Sequence, residues 1–320
     1  MRIQSNTNLQ QHPRRWQPTS REELYAYLSV ILHMGLIIEP RIEDYWGTLE
    51  SHGVKHIVGR YIGKNRYKQL DRYIRLSPPA DSYKATFERV EALSEHLRLL
   101  CRKYYSPGAH LAVDETIERF MGRAPEIINI PSKPTPEGFK IWVLANQGYV
   151  LDWMWHAKGD NKGPVDLDTV FTKKEGFTKT QAVVLDLLTQ RDPITDSVLY
   201  PPGKHVVWLD NLFCSVKLFE RLRGLSIGAA GTVQTTKTKR EEDGDKEANI
   251  VVKQKGKTKR KKKVPAEVFS PLLTDLKLVH TAQIPWGTLY GELSKSHTVM
   301  EFAWADAQVV LFMSTVHDGR

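Results

Sequence analysis

Two aspartates in the sequence stand directly behind apolar runs, in positions that suit metal-ion chemistry. Asp114 follows Leu111-Ala112-Val113, and Asp210 follows His205-Val206-Val207-Trp208-Leu209. Each run predicts a buried strand, so each carboxylate is expected at the carboxyl end of a strand, where open α/β sheets bind ligands. If the strands are neighbours, the carboxylates converge, and a divalent cation between them relieves their repulsion. Mg²⁺ or Mn²⁺ prefers such oxygen ligands, and a pair of these ions promotes in-line displacement at a phosphodiester.

Aspartates at strand ends also have a purely structural interpretation. Such a residue often holds a turn or caps the next helix, and Asp210 precedes Asn211-Leu212-Phe213 ahead of a predicted helix. The spacing of Asp114 and Asp210 alone leaves the catalytic and the structural interpretations open.

The first part of the chain predicts helices. Residues 1–19 are polar and predict a tail, and residues 20–106 predict a helical domain. Ser20 and Glu23 form a capping box at the start of the first helix, and an apolar stripe on that helix is expected to pack into a core. The stripe consists of Leu24, Leu28, Ile31, Leu32 and Leu36, and further helices are expected at 65–76 and 85–104.

Residues 107–231 predict the first part of an α/β sheet, because short apolar strands now alternate with helices. Asn146-Gln147-Gly148 predicts a hairpin turn between two of the strands. Strands are expected at 139–145, 149–156, 205–209 and 225–230, and helices at 178–189 and 215–223. A last strand is expected at 303–315, within the closing segment 301–320.

Residues 232–300 predict an insertion in this sheet. Much of it is too rich in charge to bury a core, and we expect that part to be disordered. Its basic run is expected to bind DNA or to act as a nuclear localisation signal, with a merely soluble tether as the alternative. The run includes Lys259, Arg260, Lys261, Lys262 and Lys263.

The overall charge points to a polyanionic partner. The 320 residues carry a formal net charge of +9, which favours nucleic acid, although a basic surface without a partner is the alternative. No apolar run has membrane-spanning length and no secretory signal is present, so no membrane partner is expected. Cys101 and Cys214 lack C-x-x-C spacing, which disfavours a disulfide framework and a cysteine zinc site.

Several motifs, taken in order, resemble those of piggyBac-type transposases, and the ordered set is more specific than any one of them. The resemblance covers residues 20–235 well and 284–316 weakly. The motifs are V-D-E-T-I-E-R-F-M-G-R-A-P at 113–125, I-P-S-K-P at 130–134, G-F-K-I at 138–141, and D-N-L-F-C-S at 210–215, followed by Gly231-Thr232-Val233.

The resemblance implies an RNase H-like core, which is a mixed sheet flanked by helices and interrupted by the basic insertion. It also implies that the helical domain before this core, residues 20–106, is of a DNA-binding or dimerisation type. It also implies a catalytic triad of aspartates that binds two Mg²⁺ or Mn²⁺ ions for cut-and-paste transposition. Asp114 and Asp210 match the first two members. The third is expected in a G-G-V-D motif after strand 303–315, which the sequence lacks; neither Asp306 nor Asp318 matches it. We therefore expect a C-terminally truncated chain that is inactive in cleavage and contains no zinc.

The resemblance further implies double-stranded DNA as partner, a homodimer, and a nuclear location. Arg123, Lys133 and Lys140 are expected to contact DNA phosphates, with solvated loop charge as the alternative. Trp153, Trp155 and Trp208 are expected to pack in the core rather than stack on bases, and His156 and His205 are expected to be structural.

Two positions depart from the motifs and leave a second function open. Met121 stands where the family usually has the first arginine of R-G-R, and Leu212 replaces an aromatic residue after D-N. The second hypothesis is a domesticated or decayed transposon-derived protein that binds DNA or another protein without catalysis. An unrelated two-metal nuclease is disfavoured by the ordered motifs.

Overall fold

A computed structural model describes residues 16–47, 56–76, 87–131, 133–158, 163–233, 269–277 and 283–317. The chain divides into two compact units, Met1–Ser94 and Glu95–Arg320. The basic run Lys259–Lys263 lies outside the described residues, and so does Asp318. Within the described part of the chain, no helix is long and apolar enough to cross a membrane.

The first unit is helical, as the sequence predicts. Helix α1 (Arg21–Leu36) begins after Ser20, whose side chain accepts a hydrogen bond from the backbone N–H of Glu23 at 3.2 Å. Helix α2 spans Lys64–Tyr73, and helix α3, Glu88–Tyr104, continues into the second unit. The predicted helix starts are therefore close to the observed ones.

The predicted inner face of α1 is wrong. Tyr27 and Val30 are the buried residues of this helix, whereas Leu32 is 70% and Leu36 86% exposed. Tyr27 packs against Tyr67 with ring centroids 5.3 Å apart, in a small core that also contains Tyr45, Val58, Ile62 and Leu70. Helix α1 carries apolar side chains around most of its circumference, so the aromatic contacts rather than the leucine spacing decide which face is buried.

The second unit is built on one mixed sheet, which confirms the predicted α/β class; the more specific RNase H-like assignment stays a prediction. In the described residues the strand order is β5-β4-β3-β1-β6-β7-β10-β9-β8, with β2 beside β3. The strands are β1 (His110–Arg119), β2 (Ile128–Asn129), β3 (Glu137–Asn146), β4 (Tyr149–Ala157), β5 (Gly163–Pro164), β6 (Val206–Leu209), β7 (Gly228–Thr232), β8 (Leu289–Leu293), β9 (Met300–Ala305) and β10 (Val309–Ser314). The remaining helices are α4 (Lys179–Thr189), α5 (Val216–Gly224) and α6 (Pro271–Asp275).

Parallel pairing at the centre of the sheet brings together strands that are far apart in the sequence. Strand β6 lies between β1 and β7 and is parallel to both, whereas the other pairs are antiparallel. The turn between β3 and β4 is the predicted one: Gln147 and Gly148 both have positive φ angles, 49° and 82°, as a type I′ hairpin requires.

Several predicted strand boundaries differ from the structure, among them the strand expected at 225–230, which is β7 at Gly228–Thr232. Strand β1 continues beyond Asp114 to Arg119, because β3 pairs with it as far as Arg119 and Gly138. Asp114 therefore lies inside a strand rather than at its end. The single strand expected at 303–315 is instead the hairpin of β9 and β10, in which Val309 pairs with Ala305, so that Asp306 lies in the turn.

Successive side chains of β1 and β6 point to opposite faces of the sheet. Near the centre of the sheet, one of these faces is buried and the other is open. Leu111 and Val113 of β1 are buried, together with Val207 and Leu209 of β6, in a core that includes residues of α4 and α5. The residues between them, Ala112, Asp114, Trp208 and Asp210, are exposed. The two aspartates therefore share the open face.

Candidate metal and DNA site

The parallel pairing of strands β1 and β6 places Asp114 and Asp210 at adjacent positions. Val113 of β1 is the partner of Leu209 of β6, and the two aspartates are the next residue of each chain segment. Neighbouring strands lie about 4.8 Å apart, so the two carboxylates start from adjacent positions on the same face. The sequence predicted this meeting only on the condition that the two strands are neighbours, and the register fulfils that condition.

Backbone and hydroxyl donors orient one oxygen of each carboxylate. Oδ1 of Asp114 accepts a hydrogen bond from the N–H of Glu115 at 2.7 Å, and Oδ1 of Asp210 accepts one from the N–H of Asn211 at 2.6 Å. The hydroxyl of Thr232 on β7 donates to the same Asp210 oxygen at 3.3 Å. Within the described residues, neither Oδ2 atom has a hydrogen-bond partner, so each carboxylate keeps one oxygen available for a ligand.

The donor set of this pair suits a hard divalent cation. Both ligating groups are carboxylates, and Mg²⁺ commonly uses one or two carboxylates, several waters and substrate phosphates. Across the ranges that the structure describes, no group of three His, Cys, Asp or Glu side chains is placed to hold a metal ion. The site therefore fits an ion that completes its coordination with water and phosphate oxygens.

Strand β7 approaches β6 closely enough to bring Thr232 into this site. Gly231 pairs with Leu209, and a Cβ atom at Gly231 would lie 2.3 Å from the carbonyl oxygen of Leu209 and 2.5 Å from Sγ of Cys214. Only glycine fits this close approach. Sequence inspection noted Gly231 and Thr232 as part of a motif, but gave no reason to connect Thr232 with Asp210.

Two of the predicted DNA-binding lysines are paired with Glu115. Glu115 Oε1 lies 3.3 Å from Nζ of Lys133, and its Oε2 lies 3.9 Å from Nζ of Lys140. The Lys140 ammonium also lies over the Trp142 ring, 3.9 Å from its centroid. Burial lowers the pKa of Lys140, while the nearby Glu115 and Asp114 carboxylates favour its charged form. Glu115 and Lys140 occupy the side of the sheet opposite Asp114.

Arg123 has a more open surrounding. It is exposed in the loop after β1, where it lines a shallow cleft with Gly122, Ala124, Pro125, Ile127 and Glu137. The predicted DNA contact at Arg123 stays a prediction, as do those at Lys133 and Lys140.

Trp208 is not the core residue that the sequence predicted. It is 43% exposed. Side chains alternate along a strand, so Trp208 lies on the open face, whereas its neighbours Val207 and Leu209 face the core. Its indole Nε1–H donates to Nδ1 of His110 at 3.1 Å. Trp153 and Trp155 are half-buried.

The two histidines predicted to be structural make interior contacts. His205 is buried, with Nδ1 3.0 Å from the carbonyl oxygen of Gly108. Nδ1 of His156 accepts a hydrogen bond from Nε1 of Trp142 at 3.3 Å. Burial lowers the pKa of His156, and the charges of Lys140 and Lys179 lower it further, so the neutral imidazole is favoured.

Comparisons with known proteins agree on one family. A family model described as Transposase IS4 matches residues 1–320. The human piggyBac transposable element-derived protein 2 is 24% identical over 223 residues, which are 68% of this chain and 35% of that protein. The human piggyBac transposable element-derived protein 3 is 23% identical over 215 residues, 66% of this chain and 33% of that protein.

A solved structure shares the fold. A cryo-EM structure of a piggyBac transposase synaptic complex with hairpin DNA superposes with a TM-score of 0.64 and 19% sequence identity, covering 95% of this chain and 54% of that one. The chain spans about a third of the length of the two human relatives.

Proposed function

Because the chain belongs to the Transposase IS4 family and is of the piggyBac type, we propose that its sheet binds double-stranded DNA at a divalent metal site formed by Asp114 and Asp210. The observation that carries this proposal is the pairing of Val113 with Leu209. It sets two oriented carboxylates side by side on an open face of a protein with a formal net charge of +9.

Each residue of the site has a defined part in this proposal. Asp114 and Asp210 provide the oxygen ligands, and Thr232 holds Asp210 in one orientation through its hydroxyl. A bound Mg²⁺ or Mn²⁺ ion would polarise a DNA phosphate and neutralise charge that develops on its oxygens. Arg123, which is exposed, and Lys133, whose side chain is 38% exposed, would contact the DNA backbone.

The same proposal limits what this chain does alone. In the family, the resemblance implies cleavage and transfer of DNA strands by three aspartates and two ions. In the part of the chain that the structure describes, Asp114 and Asp210 follow paired residues of neighbouring strands, and no group of three His, Cys, Asp or Glu is placed to hold a metal ion. We therefore expect this chain to bind a metal ion and DNA without cutting the DNA. A homodimer in the nucleus remains the expectation from the family resemblance.

Metal titration of the chain tests the site directly. Isothermal titration calorimetry with Mn²⁺ should detect binding that Asp114→Ala and Asp210→Ala each weaken by more than about 10–100-fold, the usual cost of losing only an outer partner of a metal ligand. Glu118→Ala is the matched control, because Glu118 is an exposed carboxylate on the same strand and face as Asp114. Equal Mn²⁺ affinity in all four proteins would refute the metal site.

A plasmid-nicking assay with Mg²⁺ and then Mn²⁺ tests whether this chain cleaves DNA. DNA binding without nicking supports a chain that acts by binding. Nicking that Asp114→Ala abolishes would instead show a complete active site, with another carboxylate supplying the remaining ligand.

A further inference from the structure

Trp208 is an exposed aromatic residue beside the two carboxylates. It precedes Asp210 by two residues on β6, so its side chain lies on the same face, about 6.6 Å along the strand. Its pairing partner on β1 is Ala112, whose side chain is small. Trp208 is 43% exposed, whereas Val207 and Leu209 on either side of it are buried.

The indole is held in place rather than free to rotate. Its N–H donates to Nδ1 of His110 at 3.1 Å. The His110 and His317 rings lie 6.0 Å and 5.6 Å from it, measured between centroids. The His317 ring is itself fixed, since its Nδ1 lies 2.9 Å from Oγ of Ser314. The polar edge of Trp208 is therefore satisfied inside the protein, and what remains for a ligand is the apolar ring.

This arrangement suits an unpaired nucleobase. A fixed aromatic ring stacks on a base of any sequence, and a base within a duplex already stacks on its neighbours, so the available partner is a base at a strand end or outside the helix. The adjacent carboxylates, if they hold a metal ion at a phosphate, position the sugar-phosphate backbone within reach.

We infer that Trp208 is a stacking platform for an unpaired base next to the phosphate at Asp114 and Asp210, and that His110 positions its ring. This inference rests on the proposed function, because it requires DNA on this face of the sheet. It assigns to the site a preference for DNA with a single-stranded end over blunt duplex, which the carboxylates alone do not supply.

Fluorescence of DNA that contains 2-aminopurine tests the inference. Two duplexes of equal length are compared in Mg²⁺, so that the carboxylates can hold an ion at the phosphate; one duplex is blunt and the other has a short single-stranded extension carrying 2-aminopurine. The full chain should bind the extended duplex more tightly and change the 2-aminopurine emission. Trp208→Ala should weaken binding of the extended duplex by roughly fivefold or more and abolish the emission change, while binding of the blunt duplex stays within about twofold.

Companion variants separate stacking from loss of structure. Trp208→Phe retains an aromatic ring and should keep part of the preference, and His110→Ala should lose part of it. Trp286→Ala is the control, since Trp286 is 77% exposed and hydrogen-bonded through its N–H to Asp306 but lies away from the carboxylates. The inference is overturned if Trp208→Ala binds both duplexes as the unmodified chain does, or if it unfolds more easily in urea with its DNA preference unchanged. If the unmodified chain binds neither duplex, the proposed function fails as well.

Discussion

The hydroxyl of Thr232 lies 3.3 Å from Oδ1 of Asp210, and this contact links the third strand of the parallel group to the candidate metal site. Asp210 stands just after the end of β6, where the strand no longer fixes its side chain. A donor from the neighbouring strand restricts the carboxylate to one orientation and leaves its other oxygen for a ligand. Thr232 is therefore a positioning residue in the proposed site.

Replacing Thr232 with valine should weaken metal binding without unfolding the protein. Valine has the same shape but no hydroxyl, so Asp210 loses an orienting bond, and loss of such an outer partner typically costs about 10–100-fold in metal affinity. Mn²⁺ titration calorimetry measures the effect. Thr232→Ser retains the hydroxyl and should bind Mn²⁺ nearly as the unmodified chain does. A valine variant with unchanged Mn²⁺ affinity would show that the contact has no part in the site.

Gly231→Ala should destabilise the second unit. The new methyl group would meet the Leu209 carbonyl oxygen and Cys214 Sγ at 2.3 and 2.5 Å, so β7 must shift, at a cost of roughly 1–3 kcal/mol. Urea unfolding gives the change in free energy. Gly35→Ala in α1 is the matched control: nothing lies within 4 Å of the added atom, and alanine in a helix should add about 0.5–1 kcal/mol of stability. The opposite ranking of the two variants would contradict the close approach of β6 and β7.

Glu115→Gln should cost more stability than Lys133→Gln. Glu115 is the shared partner of Lys133 and Lys140, and its side chain is 11% exposed, compared with 38% for Lys133. Loss of its charge removes the nearer of the two carboxylates that favour the charged form of the partly buried Lys140, a loss of roughly 1–3 kcal/mol. An exposed ion pair, in contrast, contributes about 0–1 kcal/mol. Urea unfolding near neutral pH compares the two. Equal losses would indicate that Lys140 does not depend on Glu115.

Asp186→Asn should stabilise the protein at neutral pH but not in acid. Burial raises the pKa of Asp186 above its ordinary value of 3.8, although the N–H of Asp168 donates to it and opposes the shift. A raised carboxyl pKa favours the folded state when the group is protonated, and this contribution is lost as pH rises through the folded-state pKa. Asparagine has no charge to bury, and its carbonyl oxygen still accepts the bond from Asp168.

Urea unfolding at several pH values checks this expectation. The gain from Asp186→Asn should appear above the raised pKa and disappear below about pH 3.8, where the unfolded chain is also protonated. Asp186→Ala removes the acceptor as well as the charge and should be less stable than the asparagine variant at every pH. A pH-independent difference between asparagine and aspartate would show that burial does not perturb this carboxyl group.

The sequence by itself determined the local elements and singled out the two aspartates of the candidate site. Caps, turns and apolar runs act over a few residues, so the start of α1 at Ser20 and the Gln147-Gly148 turn could be predicted from neighbouring side chains alone. The same runs identified Asp114 and Asp210, because each follows an apolar strand segment in the printed sequence.

Only the tertiary structure decided which of these residues meet and which faces are open. The pairing of Val113 with Leu209 joins segments that lie far apart in the chain, and such a register follows from the packing of the whole sheet rather than from local propensity. Packing in the helical unit buries Tyr27 and leaves Leu32 exposed. In the sheet, pairing with β3 extends β1 beyond Asp114, and Trp208 is exposed. The sequence shows which side chains are apolar and predicts the face on which they lie. The neighbouring strands and helices determine whether that face is covered.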